Sequence, residues 1–105
     1  DAVKGNIDEV VNFNKFNNYF LKEVKAKNNE VDTIDSNYIL FKSGNSFSMS
    51  NNMIYYNDKK ICDGVHEMII TLGENGDGID KTIVNVSISF ENFSKRISYK
   101  IEEIY

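Results

Sequence analysis

The hydrophobic period of this chain changes once, near residue 28, and that change limits the folds it can adopt. Before residue 28, apolar residues recur every three or four positions, which is the spacing of one face of an α-helix. After it they recur every second position, as on one face of a β-strand. The order predicts an α+β fold, with one long N-terminal amphipathic helix packed on an antiparallel β-sheet meander. We expect residues 1–27 to form the helix and residues 28–105 the sheet, together as a single domain.

The predicted helix carries an apolar stripe that is longer than a sheet of short strands can easily cover. Its members are Val3, Ile7, Val10, Val11, Phe13, Phe16, Phe20, Leu21 and Val24. We expect the part from Phe13 onward to pack on the sheet. The earlier part, made of Val3, Ile7, Val10 and Val11, then has no strand left to cover it. The pair Asn28-Asn29 is the expected end of the helix.

The second part of the chain predicts short strands joined by turns of Gly and Asn, since the chain has no proline. The predicted strands cover residues 38–42, 46–49, 53–56, 59–62, 66–72, 82–90 and 93–105. Gly73–Asp80 reads as a loop with three glycines. Strict alternation in residues 82–90 predicts that Val84, Val86, Ile88 and Phe90 face the core. Ile104 breaks the alternation of the last strand, which predicts a bulge or an end there.

Composition and charge argue against several classes of function. The formal net charge is -4, and the Lys and Arg residues are scattered among more numerous acids. A nucleic-acid-binding surface would need a basic patch, so we expect no nucleic-acid partner. No apolar run is long enough to span a bilayer, so any membrane attachment would need a further segment upstream of Asp1.

Cys62 and His66, the only cysteine and the only histidine, lie four residues apart. They could form a nucleophile and base, but the alternative is a buried cysteine beside a surface histidine. No Gly-x-Ser-x-Gly-like elbow accompanies them, and a metal site would need further ligands. We assign no catalytic residue, no cofactor and no metal.

The acidic loop Gly73–Asp80 is the best candidate for an ion site. Glu74, Asn75, Asp77 and Asp80 carry oxygens of the kind that calcium binds. The spacing fails the EF-hand pattern, so we expect a solvated hairpin loop there.

The order of these features resembles a known family. A helix ending in Phe20–Val24 leads to Tyr38–Phe41 and a short hairpin. Asn52–Ile61 and the turn Asp63–Val65 follow, and the chain closes on an alternating strand pair. Over nearly its whole length the chain is similar to the soluble part of a type IV pilin-like protein. It most resembles the minor pilins of type IV and competence pili and the J-type minor pseudopilins of type II secretion.

The resemblance implies a structural function. Residues 1–27 would be the C-terminal half of a longer helix, whose apolar half holds the protein in the membrane before assembly. The subunit would then join a type IV pilus or type II secretion-like filament, or its tip, at the cell surface. Its partners would be other pilin or pseudopilin subunits, contacted through the N-terminal helix. On the resemblance, the candidate subunit-interface residues are Val3, Ile7, Val10 and Val11. Family members often close a C-terminal loop with a disulfide, which Cys62 alone cannot form, so the subclass stays open.

Two other functions stay open. The chain could be a secreted, non-enzymatic binding module that holds a ligand at a sheet edge or at Gly73–Asp80. It could also be an enzyme that uses Cys62 and His66. A membrane segment of about 20 apolar residues upstream would favour the pilin interpretation over both.

Overall fold

A computed structural model describes residues 2–101, with side chains from Ile7 onward. Helix α1 spans Ala2–Lys25. The strands that follow are β1 (Val31–Asp35), β2 (Tyr38–Phe41), β3 (Ser46–Ser50), β4 (Met53–Tyr56), β5 (Lys59–Cys62), β6 (Val65–Asn75), β7 (Gly78–Phe90) and β8 (Ser94–Lys100). All of the strand pairs are antiparallel, so the predicted α+β fold of one helix and an antiparallel meander is confirmed.

The strands divide into two sheets where a single one was expected. Strands β1–β5 form a five-stranded meander, and β6–β8 form a separate three-stranded sheet. The break falls at Gly64, whose positive φ of 69° turns the chain out of β5. The edge of β6 still touches the first sheet, because the backbone N–H of Ile70 donates to the carbonyl of Ser36 at 2.7 Å. The two sheets therefore meet at their edges and share one core.

Side chains from α1 and from both sheets form that core. Its buried members are Phe13, Phe16, Phe20, Val24, Ile39, Phe41, Phe47, Ile54, Ile61, Cys62, Val65, Met68, Ile70, Val84, Val86, Ile88, Phe90, Tyr99 and Ile101. Phe20 lies at the centre, with its ring 4.8 Å from that of Phe47 in the first sheet and 4.5 Å from that of Tyr99 in the second. The helix thus joins the two sheets by burying one aromatic ridge between them.

Strand β1 was not predicted. Its sequence, Val31–Asp35, contains two aspartates, a residue type that is depleted in strands. It forms because it lies at the edge of the five-stranded sheet, where polar side chains stay exposed while the backbone pairs with β2.

The prediction of a loop at Gly73–Asp80 was wrong for most of its length. Strand β6 continues to Asn75 and β7 begins at Gly78, so only two residues form the turn. The register shifts between Leu72 and Gly73, which marks a bulge. A Cβ on Gly73 would lie 2.7 Å from the Cβ of Ile83. Glycine is needed there because the facing strand passes too close for a side chain.

The closing strand pair agrees with the sequence where it is described. Val84, Val86, Ile88 and Phe90 are buried, as predicted. Strand β8 ends at Lys100, and the bulge or end predicted at Ile104 falls outside the described residues.

Asparagine supplies several of the turns. Positive φ angles occur at Asn28, just after the helix, at Asn51 and Asn52 between β3 and β4, and at Asn57 between β4 and β5. Asn tolerates this left-handed region better than most residues, which explains how a chain without proline closes a tight meander. No helix formed by residues 2–101 has the length and apolar character needed to cross a bilayer.

Candidate functional site

Helix α1 has two different apolar faces. The buried face is made of Phe13, Phe16, Phe20 and Val24, each no more than 5 % exposed. Before it, Ile7 is 58 % exposed, Val10 36 % and Val11 52 %. We name Ile7, Val10 and Val11 the outer helix face. These are three of the four candidate interface residues, and the side chain of the fourth, Val3, lies outside the described residues.

The outer helix face points away from the sheets and is not the rim of the core. An α-helix turns by about 100° per residue, so Ile7 and Val11 project roughly 150–170° from the average direction of the buried phenylalanines. Val10 lies on the flank, roughly 90° from that direction. Closer packing of the same helix on the same sheets would therefore leave Ile7 exposed, whereas Val11 borders a hollow that it shares with Asp63, His66 and Glu91.

From Glu9 onward, hydrogen bonds hold helix α1 to the rest of the molecule. The Glu9 carboxylate accepts from the backbone N–H of Asn92 at 3.2 Å. Three residues after Glu9, the Asn12 side-chain oxygen accepts from the backbone N–H of Asp63 at 3.1 Å. Further along, the Tyr99 hydroxyl donates to the side-chain oxygen of Asn17 at 2.7 Å. These bonds fix the direction in which the outer helix face is presented.

The end of the helix is held by a buried polar network around Glu23, which is only 5 % exposed. Its carboxylate accepts from Asn29 Nδ2 at 2.9 Å, from the Ser43 hydroxyl, from Asn45 Nδ2 at 3.3 Å and from the Tyr56 hydroxyl at 3.1 Å. We name these five residues the Glu23 cluster. It joins the last turn of α1 to the β2–β3 turn and to β4.

The ionised form of Glu23 is favoured by these donors. Burial opposes ionisation, but the hydrogen bonds from the side chains of the cluster outweigh it and hold the pKa of Glu23 below its ordinary value of 4.5. Burial, with the hydrogen bond to Glu23, raises the pKa of Tyr56 to about 12, so that hydroxyl stays a donor at neutral pH. The cluster is therefore an anion held by neutral donors.

Acidic side chains surround the start of the helix. A hollow of about 450 Å³ beside Val11 is lined by carboxylates from three segments, those of Asp8, Asp63 and Glu91, together with His66. A partner of the outer helix face would meet negative charge on this side.

Cys62 and His66 do not form a nucleophile and base in this structure. Cys62 is buried, and its thiol donates to the backbone carbonyl of Asn12 at 2.9 Å. Burial raises the pKa of Cys62 to about 11. His66 is exposed on the hollow beside Val11. A reactive cysteine needs a lowered thiol pKa, and Cys62 has the opposite.

The oxygens proposed for calcium are engaged elsewhere or turned outward. Asp80 Oδ1 accepts from the backbone N–H of Thr82 at 2.9 Å and from its hydroxyl, and Asn75 Oδ1 accepts from the backbone N–H of Asp77 at 2.8 Å. Glu74 and Asp77 are exposed. Within the described part of the chain, no group of three or more His, Cys, Asp or Glu side chains is placed to hold a metal ion.

The Glu23 cluster was not predicted from the sequence. Four of its members lie in turns or at strand ends, where Asn, Ser and Tyr are ordinary. Glu23 itself lies among lysines and looks like a surface residue. The available signal was its position one residue before Val24, on the side of the helix that the phenylalanines bury.

Comparison with protein-family models, with curated proteins and with solved structures finds no match to this chain.

Proposed function

We propose that this chain is the head of a structural filament subunit, a minor pilin or pseudopilin of a type IV pilus or type II secretion-like system. The subunit joins the filament through its N-terminal helix. One observation carries the proposal: Ile7 and Val11 form an exposed apolar pair on the side of α1 opposite to the core. Helices that pack together in a filament need such a second apolar face, because the first is already used by their own head.

The energetics fit a contact repeated along an assembly. Full burial of an Ile or Val side chain contributes about 1.5–3 kcal/mol, and these two side chains are about half exposed. Their burial against a neighbour would contribute about 1 kcal/mol each. That is too little for a stable dimer of isolated heads. In a filament, longer helices and many neighbours would multiply it.

The anchoring of the helix supports the same proposal. Bonds at Glu9, Asn12 and Asn17 and the Glu23 cluster hold α1 along its length from Glu9 onward. An interface helix held in this way loses little conformational entropy when it packs against a neighbour. On this proposal the subunit is anchored in the membrane before assembly by a helical segment preceding Asp1. The upstream gene sequence tests that part directly.

The central experiment replaces Ile7 and Val11 together with aspartate in the full-length subunit. We expect incorporation into sheared surface filaments to be lost, because two buried charges would oppose helix packing. The measurement is the ratio of filament-bound to cell-bound subunit on an immunoblot.

The matched control is Ile69→Asp. Ile69 is 41 % exposed and lies on β6, away from the helix. We expect that variant to incorporate normally. Circular dichroism of the isolated head should show both variants folded. Normal incorporation of the helix variant would refute the proposal, and so would loss of its fold, since Ile7 and Val11 would then belong to the core.

A secreted binding module is the second candidate. The observation that favours it is a hollow of about 240 Å³ on the outer face of the three-stranded sheet, lined by Ile69, Thr71, Asn85, Ser87 and Arg96. If the chain is a binding module, Ile69→Asp should disrupt ligand binding and the variant with Ile7 and Val11 replaced by aspartate should not. For a filament subunit, the helix variant should be impaired and Ile69→Asp should not.

A further inference from the structure

The β6–β7 hairpin carries the most exposed of the large hydrophobic side chains described. Ile79, next to the two-residue turn, is 69 % exposed. Acidic residues surround it: Glu74 pairs with Ile79 across the hairpin, Asp77 lies in the turn and Asp80 follows. We name residues 74–80 the hairpin tip. It is apolar at its centre and negative around it.

The hairpin tip is held in a defined conformation. The carboxylate of Asp80 is bonded to Thr82, and the Asn75 side chain caps the turn at Asp77. At the base of the tip, Gly73 allows the closest approach to Ile83. A protruding segment that is already ordered loses little entropy on binding, which favours its use as a contact.

A groove of matching chemistry lies between α1 and β8. It has a volume of about 360 Å³. Leu21 and Ile97, both half-buried, give it an apolar floor. Lys25 and Lys100 lie at its end and are exposed, and Lys100 Nζ also donates to the Thr82 hydroxyl of its own chain at 2.9 Å. The groove is therefore apolar at its centre and positive at its rim, the reverse in charge of the hairpin tip.

The groove also borders an open sheet edge. Strand β8 is the last in the order β6-β7-β8. The backbone N–H of Ile101 donates inward to Thr82 at 2.7 Å. Antiparallel strands alternate the direction of their backbone groups, so those of Lys100 and Ser98 point to the open edge. A segment seated in the groove could take main-chain hydrogen bonds there.

We infer that the hairpin tip of one copy docks into the α1–β8 groove of a second copy, with Ile79 on the apolar floor and the tip carboxylates facing Lys25 and Lys100. Complementary charge and apolar surface on the same chain select a second copy as the occupant. The inference rests on the proposed function in one respect: a filament supplies copies at high local concentration.

The position of the two surfaces fits copies that stand side by side. Strand β8 and helix α1 both run from the Asn92 end of the molecule toward the hairpin tip, since Glu9 contacts Asn92 and Lys100 pairs with Ile83. The tip and the groove are thus at the same end. Ile97 of the groove floor pairs with Val86, seven residues of extended strand from Ile79, so copies whose helices run parallel make this contact with an axial offset of roughly 20 Å. A contact between two different surfaces can be repeated along a filament.

Disulfide trapping between two variants of this chain, each with one introduced cysteine, tests the inference. One carries Ile79→Cys and the other Leu21→Cys, and the two are mixed and oxidised across a concentration series. Native Cys62 stays in both, since it is buried, and the parent chain gives its background. We expect a crosslinked heterodimer. Adding Lys25→Glu to the Leu21→Cys chain should lower its yield about threefold to fivefold, since an exposed ion pair of this kind is weak.

The control carries Ile69→Cys in place of Ile79→Cys, since Ile69 is exposed in the middle of β6, away from the hairpin tip. A yield of crosslinked heterodimer no higher than that of this control would overturn the inference. So would a yield that Lys25→Glu does not change. Because the assay needs no filament, its outcome is separate from that of the helix variants. If the heterodimer is trapped and the helix variant also incorporates normally into filaments, the docking contact stands and the proposed function is refuted.

Discussion

At the scale of single residues, Glu23 shows how one carboxylate can organise a junction. It lies between the end of α1 and two turns of the first sheet, and its described partners are neutral donors. A buried anion without a cation is stable only when its hydrogen bonds replace those of water. Asn29 and Tyr56 supply two of these, and each is itself fixed by the strand or turn that carries it.

We expect Glu23→Gln to lower the free energy of unfolding by about 1–3 kcal/mol, because the amide has one acceptor where the carboxylate has two and turns its N–H groups toward other donors. Urea denaturation measures the change. The control is Glu67→Gln, since Glu67 is exposed on β6.

The same pair gives a pH dependence with a defined sign. The pKa of Glu23 is lowered in the folded chain, so the unfolded chain takes up the proton first as pH falls. The advantage of the parent over Glu23→Gln should be full at pH 7 and shrink below the ordinary carboxyl pKa of 4.5. A difference that stayed constant down to strongly acidic pH would show that Glu23 is not ionised in its cluster.

At the scale of elements, the β6–β7 hairpin is the part of the chain that departs most from its sequence pattern. Three glycines, an asparagine and two aspartates between residues 73 and 80 indicate a loop, yet the backbone keeps pairing to Asn75 and Gly78. Gly73 has a different role from the other two. It is buried in the strand beneath Ile83, whereas Gly76 lies in the turn.

We expect Gly73→Ala to destabilise the chain by about 1–3 kcal/mol, since the new methyl group would overlap the Ile83 side chain and force the strands apart. Gly76→Ala is the matched control, because nothing lies within 4 Å of its added Cβ. It should change stability by no more than about 0.5 kcal/mol. Thermal unfolding compares them. If Gly73→Ala and Gly76→Ala changed thermal stability equally, the strands would accommodate a methyl group at residue 73 without cost.

At the scale of the whole molecule, the two proposed contact surfaces lie at opposite ends. The outer helix face is beside Glu9, which binds Asn92 just after β7, while the hairpin tip precedes β7. Thirteen residues of extended strand separate these ends by roughly 40 Å. Substitutions at sites this far apart, with no shared partners, change the free energy of assembly independently of each other.

We therefore expect the helix and hairpin contacts to contribute additively to assembly. Milder variants, Val11→Ala and Ile79→Ala, should each lower filament incorporation, and the double variant should lower it by the product of the two factors. The measurement is the filament-bound fraction of each variant relative to the parent. If the filament-bound fraction of the double variant were no lower than that of the more impaired single variant, Val11 and Ile79 would serve the same contact.

Residue spacing alone predicts the elements whose side chains alternate between core and solvent. The period of the phenylalanines predicted the helix and its buried face, and strict alternation predicted the inward residues of β7, because burial of one face requires that spacing. It also indicated that Ile7, Val10 and Val11 would not be covered by the strands, although Val3 stays untested.

Tertiary contacts were needed to fix the features that depend on what lies opposite a residue. Strand β1 forms despite polar residues because β2 offers it backbone partners. Gly73 belongs to a strand because Ile83 faces it. The division into two sheets and the burial of Glu23 likewise depend on contacts between segments far apart in the chain. Local pattern records the preference of each segment for water or for the core, but pairing partners and polar neighbours are set only when the segments meet.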